Sequence, residues 1–357
     1  MTAHLLTGPS AAQRRVYEAE VMNEVIRNFP KPGLIGTSKN AVFRISNKLT
    51  KTKGDTYIFQ MKKARKGTRR IGNVPRAGHE DDVDYHTDQV TLNTMASGIA
   101  SQGRLEELKY LFDLREEGKE SLGQDFALWW WEDIFDHAQG NTAMSPVFSQ
   151  TPLAASTNRR YLVGGQTVSG TTGIPGTDNL TATDLPTSQT LKLMKYRAWM
   201  ADQLYTDYTK IPKVIVDGKP TYVVFMEPAA YWHLKEDDVI QSVLKDASWR
   251  GSKNPLFSGA SFYWDGLIVH EEENLLREDN GATPAVTCSR NLLCGTSAVL
   301  IAKHDNAVRW WEGLVDRGRQ WACWGEMICA FKKAQFNSID WAVQVFDCAS
   351  PDPVETS

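Results

Sequence analysis

The sequence predicts an α+β chain made of an N-terminal arm, a long charged β-hairpin, one long helix, a central α/β region and closing strands. Three observations lead there. Apolar residues recur at helical spacing across residues 104–139. Two β-rich runs, Thr56–Gln60 and Asp88–Leu92, flank a connection that is nearly all charge. Near the C-terminus Ile339, Trp341, Val343 and Val345 alternate, as on one face of a strand. The chain has 357 residues, enough for two or three structural units. Hydrophobic residues at 41% and charged residues at 23% exclude collagenous, low-complexity and wholly disordered classes. A net charge of −3 excludes a chain-wide polycation that coats nucleic acid.

The elements follow in order. Residues 1–50 read as an arm with too few apolar side chains for a core of their own. Tyr17, Val21 and Val25 share one face of a short helix, which Pro30-Lys-Pro-Gly33 stops. Seven basic residues here face three acidic ones. Residues 51–95 read as an extended hairpin. Lys62, Lys63, Arg65, Lys66, Arg69, Arg70 and Arg76 lie on its outgoing limb, and Glu80, Asp81, Asp82 and Asp84 on its return. Almost nothing apolar holds this loop to its own domain. Loops this long are usually functional or disordered.

Leu105, Leu108, Phe112, Leu122, Phe126, Trp129 and Trp130 place one helix over 104–139, about 50 Å long at 1.5 Å per residue. Gly118 and Gly123 are expected to bend it. Arg115, Glu116, Glu117, Lys119 and Glu120 form a polar, exposed stretch. Trp129 and Trp130 continue the apolar stripe, and Trp131 points elsewhere. Residues 140–186, rich in Gly, Thr, Ser and Pro, read as a surface excursion. A helix over 188–208 has Leu191, Met194, Trp199 and Leu204 on its apolar side. Thr221–Met226 is a buried strand, Glu227-Pro228 opens a helix, and 239–247 is another. Phe262–His270 folds as two strands turning at Asp265-Gly266. Further strands lie at 297–302, 321–331 and 339–346.

Motifs for chemistry are scarce. There is no GxxxxGK[ST], GxGxxG or GxSxG. His270-Glu-Glu-Glu273 lacks the second histidine of HExxH and reads as a strand end entering an acidic loop. Cys288, Cys294, Cys323, Cys329 and Cys348 are odd in number and wrongly spaced for structural zinc, so they read as reduced, buried apolar side chains. Cys323 and Cys329 would lie about 20 Å apart on one strand. No catalytic residue, cofactor or metal is expected, and no window is apolar enough to cross a membrane. Two alternatives are weighed: a nucleic-acid-binding protein using Lys62 to Arg76, and a hydrolase with a Gly/Thr-rich lid at 142–186.

The order of pieces resembles the major capsid protein family of tailed bacteriophages, with the Hong Kong ninety-seven type fold, and most closely the branch named for phage N-four. Gly54–Phe59, Phe126–Asp136, Tyr222–Tyr231, Asn254–Gly259 and Asp265–His270 carry the resemblance. It implies an N-terminal arm at 1–50, an extended loop at 51–95, a peripheral domain with a spine helix at 96–189 and 306–357, and an axial domain at 190–305. It implies a structural protein made in the host bacterial cytoplasm that self-assembles, as hexamers and pentamers, into an icosahedral virion shell. Double-stranded DNA held non-specifically, a portal, and separate scaffolding or decoration proteins are the implied partners. The charged loop residues would make inter-subunit contacts, while Phe126, Trp129, Trp130 and Trp131 would pack the spine helix.

Overall fold

The computed structural model describes residues 11–29, 31–46, 55–63, 71–72, 85–101, 114–170, 174–216, 218–248, 262–304, 308–316 and 320–353. Two helices form one layer. Helix α1 (Ala11–Asn28) packs along helix α2 (Leu114–Gln139), which is about 39 Å long. Leu105, Leu108 and Phe112 lie outside the described residues. Helix α2 runs through both glycines that were expected to bend it. They mark close approaches instead: a Cβ on Gly123 would stand 2.5 Å from the Glu24 Cβ, and one on Gly118 2.9 Å from the Cys323 Sγ. The arm also joins the main core, because Val21, Met22, Val25 and Phe29 are buried there.

Beneath the helices lies a first sheet. Its strands are β1 (Ile35–Gly36), β2 (Phe43–Ser46), β5 (Asn93–Ala100), β13 (Val299–Lys303), β14 (Arg309–Val315) and β15 (Gln320–Lys333). The 14-residue β15 is its axis. One edge of β15 pairs with β5 from Ala322↔Ala100 to Cys329↔Asn93. The other edge pairs with β14 and then β13, as in Trp324↔Trp311 and Ala330↔Ala302. Side chains alternate, so Trp321, Cys323, Met327, Cys329 and Phe331 point toward the helices and are buried. Gly325 faces the same way, its Cβ position only 2.8 Å from the Phe126 ring.

The second sheet has the order β6 (Arg160–Leu162), β18 (Val343–Ala349), β12 (Thr287–Cys294), β8 (Lys219–Met226), β10 (Leu267–Glu271), β9 (Phe262–Trp264). Strand β7 (Val214–Val216) adds to β8, and β11 (Arg277–Asp279) to β12; the short pair β16 (Gln335–Phe336) and β17 (Ile339–Asp340) leads from β15 to β18. Val223, Val224, Phe225 and Met226 favour a pleated, buried strand. Helices α4 (Pro228–Lys235) and α5 (Asp238–Ser248) then lie in the crossover to the parallel strand β10. The Glu227 side chain accepts from the Ala230 N–H and caps α4, with Pro228 in its first turn. The β9–β10 turn is tight because Asp265 (φ 46°) and Gly266 (φ 76°) take left-handed backbone. Helix α3 (Ser188–Leu204) opens with a reciprocal Thr187/Thr190 capping box and packs on β18.

One expectation changes here, on α3. Strand β18, within residues 306–357, stands in the interior of the second sheet, paired along its length with β12. Every residue of β18 is buried. On α3, Leu191 and Met194 are buried together with Ala198 and Ala201, while Trp199 and Leu204 are exposed. The small alanines let the helix lie close to the sheet. Trp199, about 100° around from Ala198, turns outward, where Lys213 covers its ring at 4.7 Å.

Candidate assembly surfaces

Strands β3 (Thr56–Lys62) and β4 (Tyr85–Thr91) pair from Thr56↔Thr91 to Lys62↔Tyr85. Because side chains alternate, one face of this hairpin carries Phe59, Met61 and Val90. These pack on Leu300, Ala302, Ala330 and Ala334 of the same chain. Asp88 pairs with Lys332, and Tyr57 hydrogen-bonds with Ser46. The expectation that nothing apolar holds the loop therefore fails at its base: the chain anchors its own hairpin on the first sheet. The other face is solvent-exposed, with Ile58, Gln60, Lys62, Tyr85 and Thr87. The Lys62 ammonium lies 5.8 Å from the Tyr85 ring. Lys62 and Lys63 are the described members of the charged set. Arg65, Lys66, Arg69, Arg70, Arg76, Glu80, Asp81, Asp82 and Asp84 lie outside the described residues.

Helix α2 buries Leu122, Phe126, Trp130 and Trp131 completely. Trp129 is half-buried and meets the Phe126 ring edge-on at 5.8 Å. The Trp131 indole N–H donates to Glu272 Oε1 at 2.9 Å. Lys31 of the arm reaches the other oxygen of that carboxylate at 2.7 Å and the Glu271 carbonyl at 2.7 Å. The acidic end of β10 thus clamps arm, spine helix and second sheet together. Beside it His270 stacks on Phe225. Burial, and secondarily the charge of Lys31, push its pKa down to about 4, so it is a neutral core histidine. Among the described residues no group of three or more His, Cys, Asp or Glu could hold a metal. All five cysteines are free and buried.

The polar stretch of α2 is only partly exposed. Lys119 was expected in solvent but is 5% exposed. It bridges Glu20 at 2.6 Å and Glu116 at 2.7 Å, across the α1–α2 seam. Arg115 pairs with the buried Glu312 in the first sheet. Sequence periodicity missed these contacts because α1 supplies the cover.

Among the described residues, 140–186 are tied into the second sheet rather than standing over a site as a lid. Arg160 and Arg290 converge on the fully buried Asp347, at 2.6 and 2.9 Å. Arg159 donates to the Asp340 carbonyl, and Lys333, also fully buried, pairs with the Asp340 carboxylate at 3.1 Å. Leu162, Ile174, Leu180 and Cys288 form a small core of their own. Strand β6 ties the segment to β18, and the Arg160–Asp347 ion pair and the Arg159 hydrogen bonds hold its flanks. Among the described residues no helix is long and apolar enough to cross a membrane.

The comparisons with known proteins agree with this architecture. Residues 8–349 match the family model for phage capsid protein. The major capsid protein of Pseudomonas phage KPP25 is 25% identical over 335 residues, covering 85% of each chain. The capsid structure of Ralstonia phage GP4 superposes with a TM-score of 0.77 at 21% identity, over 91% of both chains. That of cyanophage Pam1 gives 0.70 at 19% identity, over 91% of this chain and 93% of the other. The α+β architecture is thus the tailed-phage capsid fold, and neither a hydrolase nor a nucleic-acid-binding protein is supported. From its arm helix to its last buried strand the chain belongs to the phage capsid protein family, and its role is structural, as a major capsid protein of the virion shell.

Proposed function

We propose that copies of this chain close an icosahedral shell of hexamers and pentamers, with the extended hairpin as the contact between neighbours. The supporting observation is the hairpin's two-faced construction. One face is fixed to its own sheet through Phe59, Met61 and Val90, while Ile58 and Tyr85 on the other stand 56% and 66% exposed. Such a surface suits a heterologous contact, in which one patch meets a different patch on the next copy. The charged residues beyond it, Arg65 to Arg76 and Glu80 to Asp84, would supply complementary signs and fix register.

In this reading the peripheral unit gathers α1, α2 and the first sheet, and the axial unit gathers the second sheet with β6 and β18. The enclosed double-stranded DNA is held non-specifically. A portal, and separate scaffolding or decoration proteins, complete the particle. The work is assembly, so no catalytic residue or cofactor is needed. The test is deletion of residues 62–84 followed by electron microscopy of the purified protein. A folded subunit that forms no shells is expected; normal shells from the deletion would reject the hairpin's role.

A further inference from the structure

Between α1 and β2 the arm is tied to the second sheet by two polar clasps. At one end Lys31 donates to the Glu271 carbonyl and to the Glu272 carboxylate, both at 2.7 Å. At the other end the Asn40 side chain bonds both polar groups of Ile215 on β7. Its Nδ2 donates to the Ile215 carbonyl, and its Oδ1 accepts the Ile215 N–H, each at 2.8 Å. Ile215 has both groups to offer because its cross-strand partner is Pro220, which has no N–H to donate.

Held at both ends, the arm does not settle on the sheet between them, and a cavity of about 430 Å³ lies there. Its floor is Val223 of β8 with Ile268 and His270 of β10, which share one face because Ile268 pairs with Val223. Leu34 and Val42 of the arm and Val214 of β7 wall it. A Cβ on Gly33 would meet nothing within 4 Å, so the arm side is not close-packed. No charged side chain lines the cavity among the described residues. One polar lining group has nothing to bond. His270 is 6% exposed, its ring is fixed by stacking on Phe225, and its Nδ1 has no hydrogen-bond partner among the described residues. Being neutral, the imidazole can both donate and accept. A buried polar nitrogen left unpaired is destabilising, and a ligand group that bonds it removes that cost.

We propose that this cavity binds a small uncharged molecule with an apolar body and one hydrogen-bonding group, which lies between the arm and the second sheet and pairs with His270. The size agrees, since small-molecule pockets span about 300–1,000 Å³. The chemistry agrees as well. An ion would lose its hydration with no opposite charge to meet it, and a polyol would face apolar walls with most of its hydroxyls unpaired. The occupant would touch both the arm and the sheet, and so stabilise their docking by mass action. The inference stands apart from the shell reading, and neither fails with the other.

The test is equilibrium dialysis of the purified full chain against indole, with indene, which has the same shape but no N–H, as its companion. One saturable site per chain is expected for each. Ile268→Trp fills the floor and should weaken both roughly tenfold or more. His270→Phe keeps a ring against Phe225 but removes the nitrogens. It should lower the preference for indole over indene about fivefold, the worth of one neutral hydrogen bond. Absence of saturable indole binding to the wild-type chain overturns the inference, whatever the variants do. So does binding that Ile268→Trp leaves at full strength, or a preference for indole that His270→Phe leaves unchanged.

Discussion

Trp131 and Glu272 are separated by 141 residues of sequence and joined by one hydrogen bond of 2.9 Å from the indole N–H to the carboxylate. The bond is buried and its acceptor is charged, so it is worth about 1.5–3 kcal/mol. Trp131→Phe keeps most of the ring and removes the donor. Its cost, measured by urea unfolding of the unassembled subunit, should shrink once Glu272 is already leucine, which offers no acceptor, and what remains is the lost ring volume. The double-mutant cycle should give a coupling of about 1 kcal/mol or more. Strict additivity would show that the clamp contributes nothing.

Truncation of Trp130 or Trp131 to alanine should cost about 3–5 kcal/mol, since both rings are fully buried. Lys119→Ala should cost about 1 kcal/mol: it removes two ion pairs, but leaves Glu116 and Glu20 with access to water. Glu117→Ala, on the exposed side, should cost under about 0.5 kcal/mol. Equal midpoints for Lys119→Ala and Glu117→Ala would contradict the seam between α1 and α2.

Gly123→Ala poses an opposition of sign. Within a helix the change ordinarily gains up to about 1 kcal/mol. Here the new methyl would meet the Glu24 Cβ at 2.5 Å, so overpacking of about 1–3 kcal/mol should win and the variant should unfold at lower urea. A raised midpoint would mean that α1 yields freely.

Stability should depend on pH through Asp133. It is buried on α2, and burial first, then the carboxylates of Asp136 and Glu132, raise its pKa to about 7. A raised carboxyl contributes stability that is fully present below its unfolded value and is lost as pH rises through about 7. His137 and His270 act oppositely. Their pKa values are held down to about 4, chiefly by burial, so their contribution is lost as pH falls from about 6.5 toward 4. Asp133→Asn should flatten the decline between about pH 4 and 7 and make the subunit more stable than wild type at pH 8. An unchanged slope in thermal unfolding across that range would exclude the assignment.

Local pattern made some of this legible. The hairpin strands were placed by β-branched and aromatic runs, and the turn at Asp265-Gly266 by its need for positive φ. The interior helix face was readable where large side chains recur, at Leu122, Phe126 and Trp130. What escaped was set by distant chain. Lys119 is polar by type but is covered by α1. Gly118 and Gly123 look like helix weaknesses until the elements crossing them are in view. The place of β18 between β6 and β12 is set by pairing with distant chain, which no local pattern shows. The apolar anchors Phe59, Met61 and Val90 were visible in the alternation of β3 and β4, though the surrounding charge drew the reading away from them.

The doubly paired β15 has a mechanical consequence. Over Ala322–Glu326 both its edges are bonded, to β5 on one side and β14 on the other. A tension directed along that strand loads many transverse hydrogen bonds at once, in shear, and none can fail before its neighbours share the strain. A force across the sheet would instead peel a flanking strand bond by bond from an open end. The subunit is therefore stiff along one axis and yielding along another. The long helix running over the same sheet adds a second member to this strut.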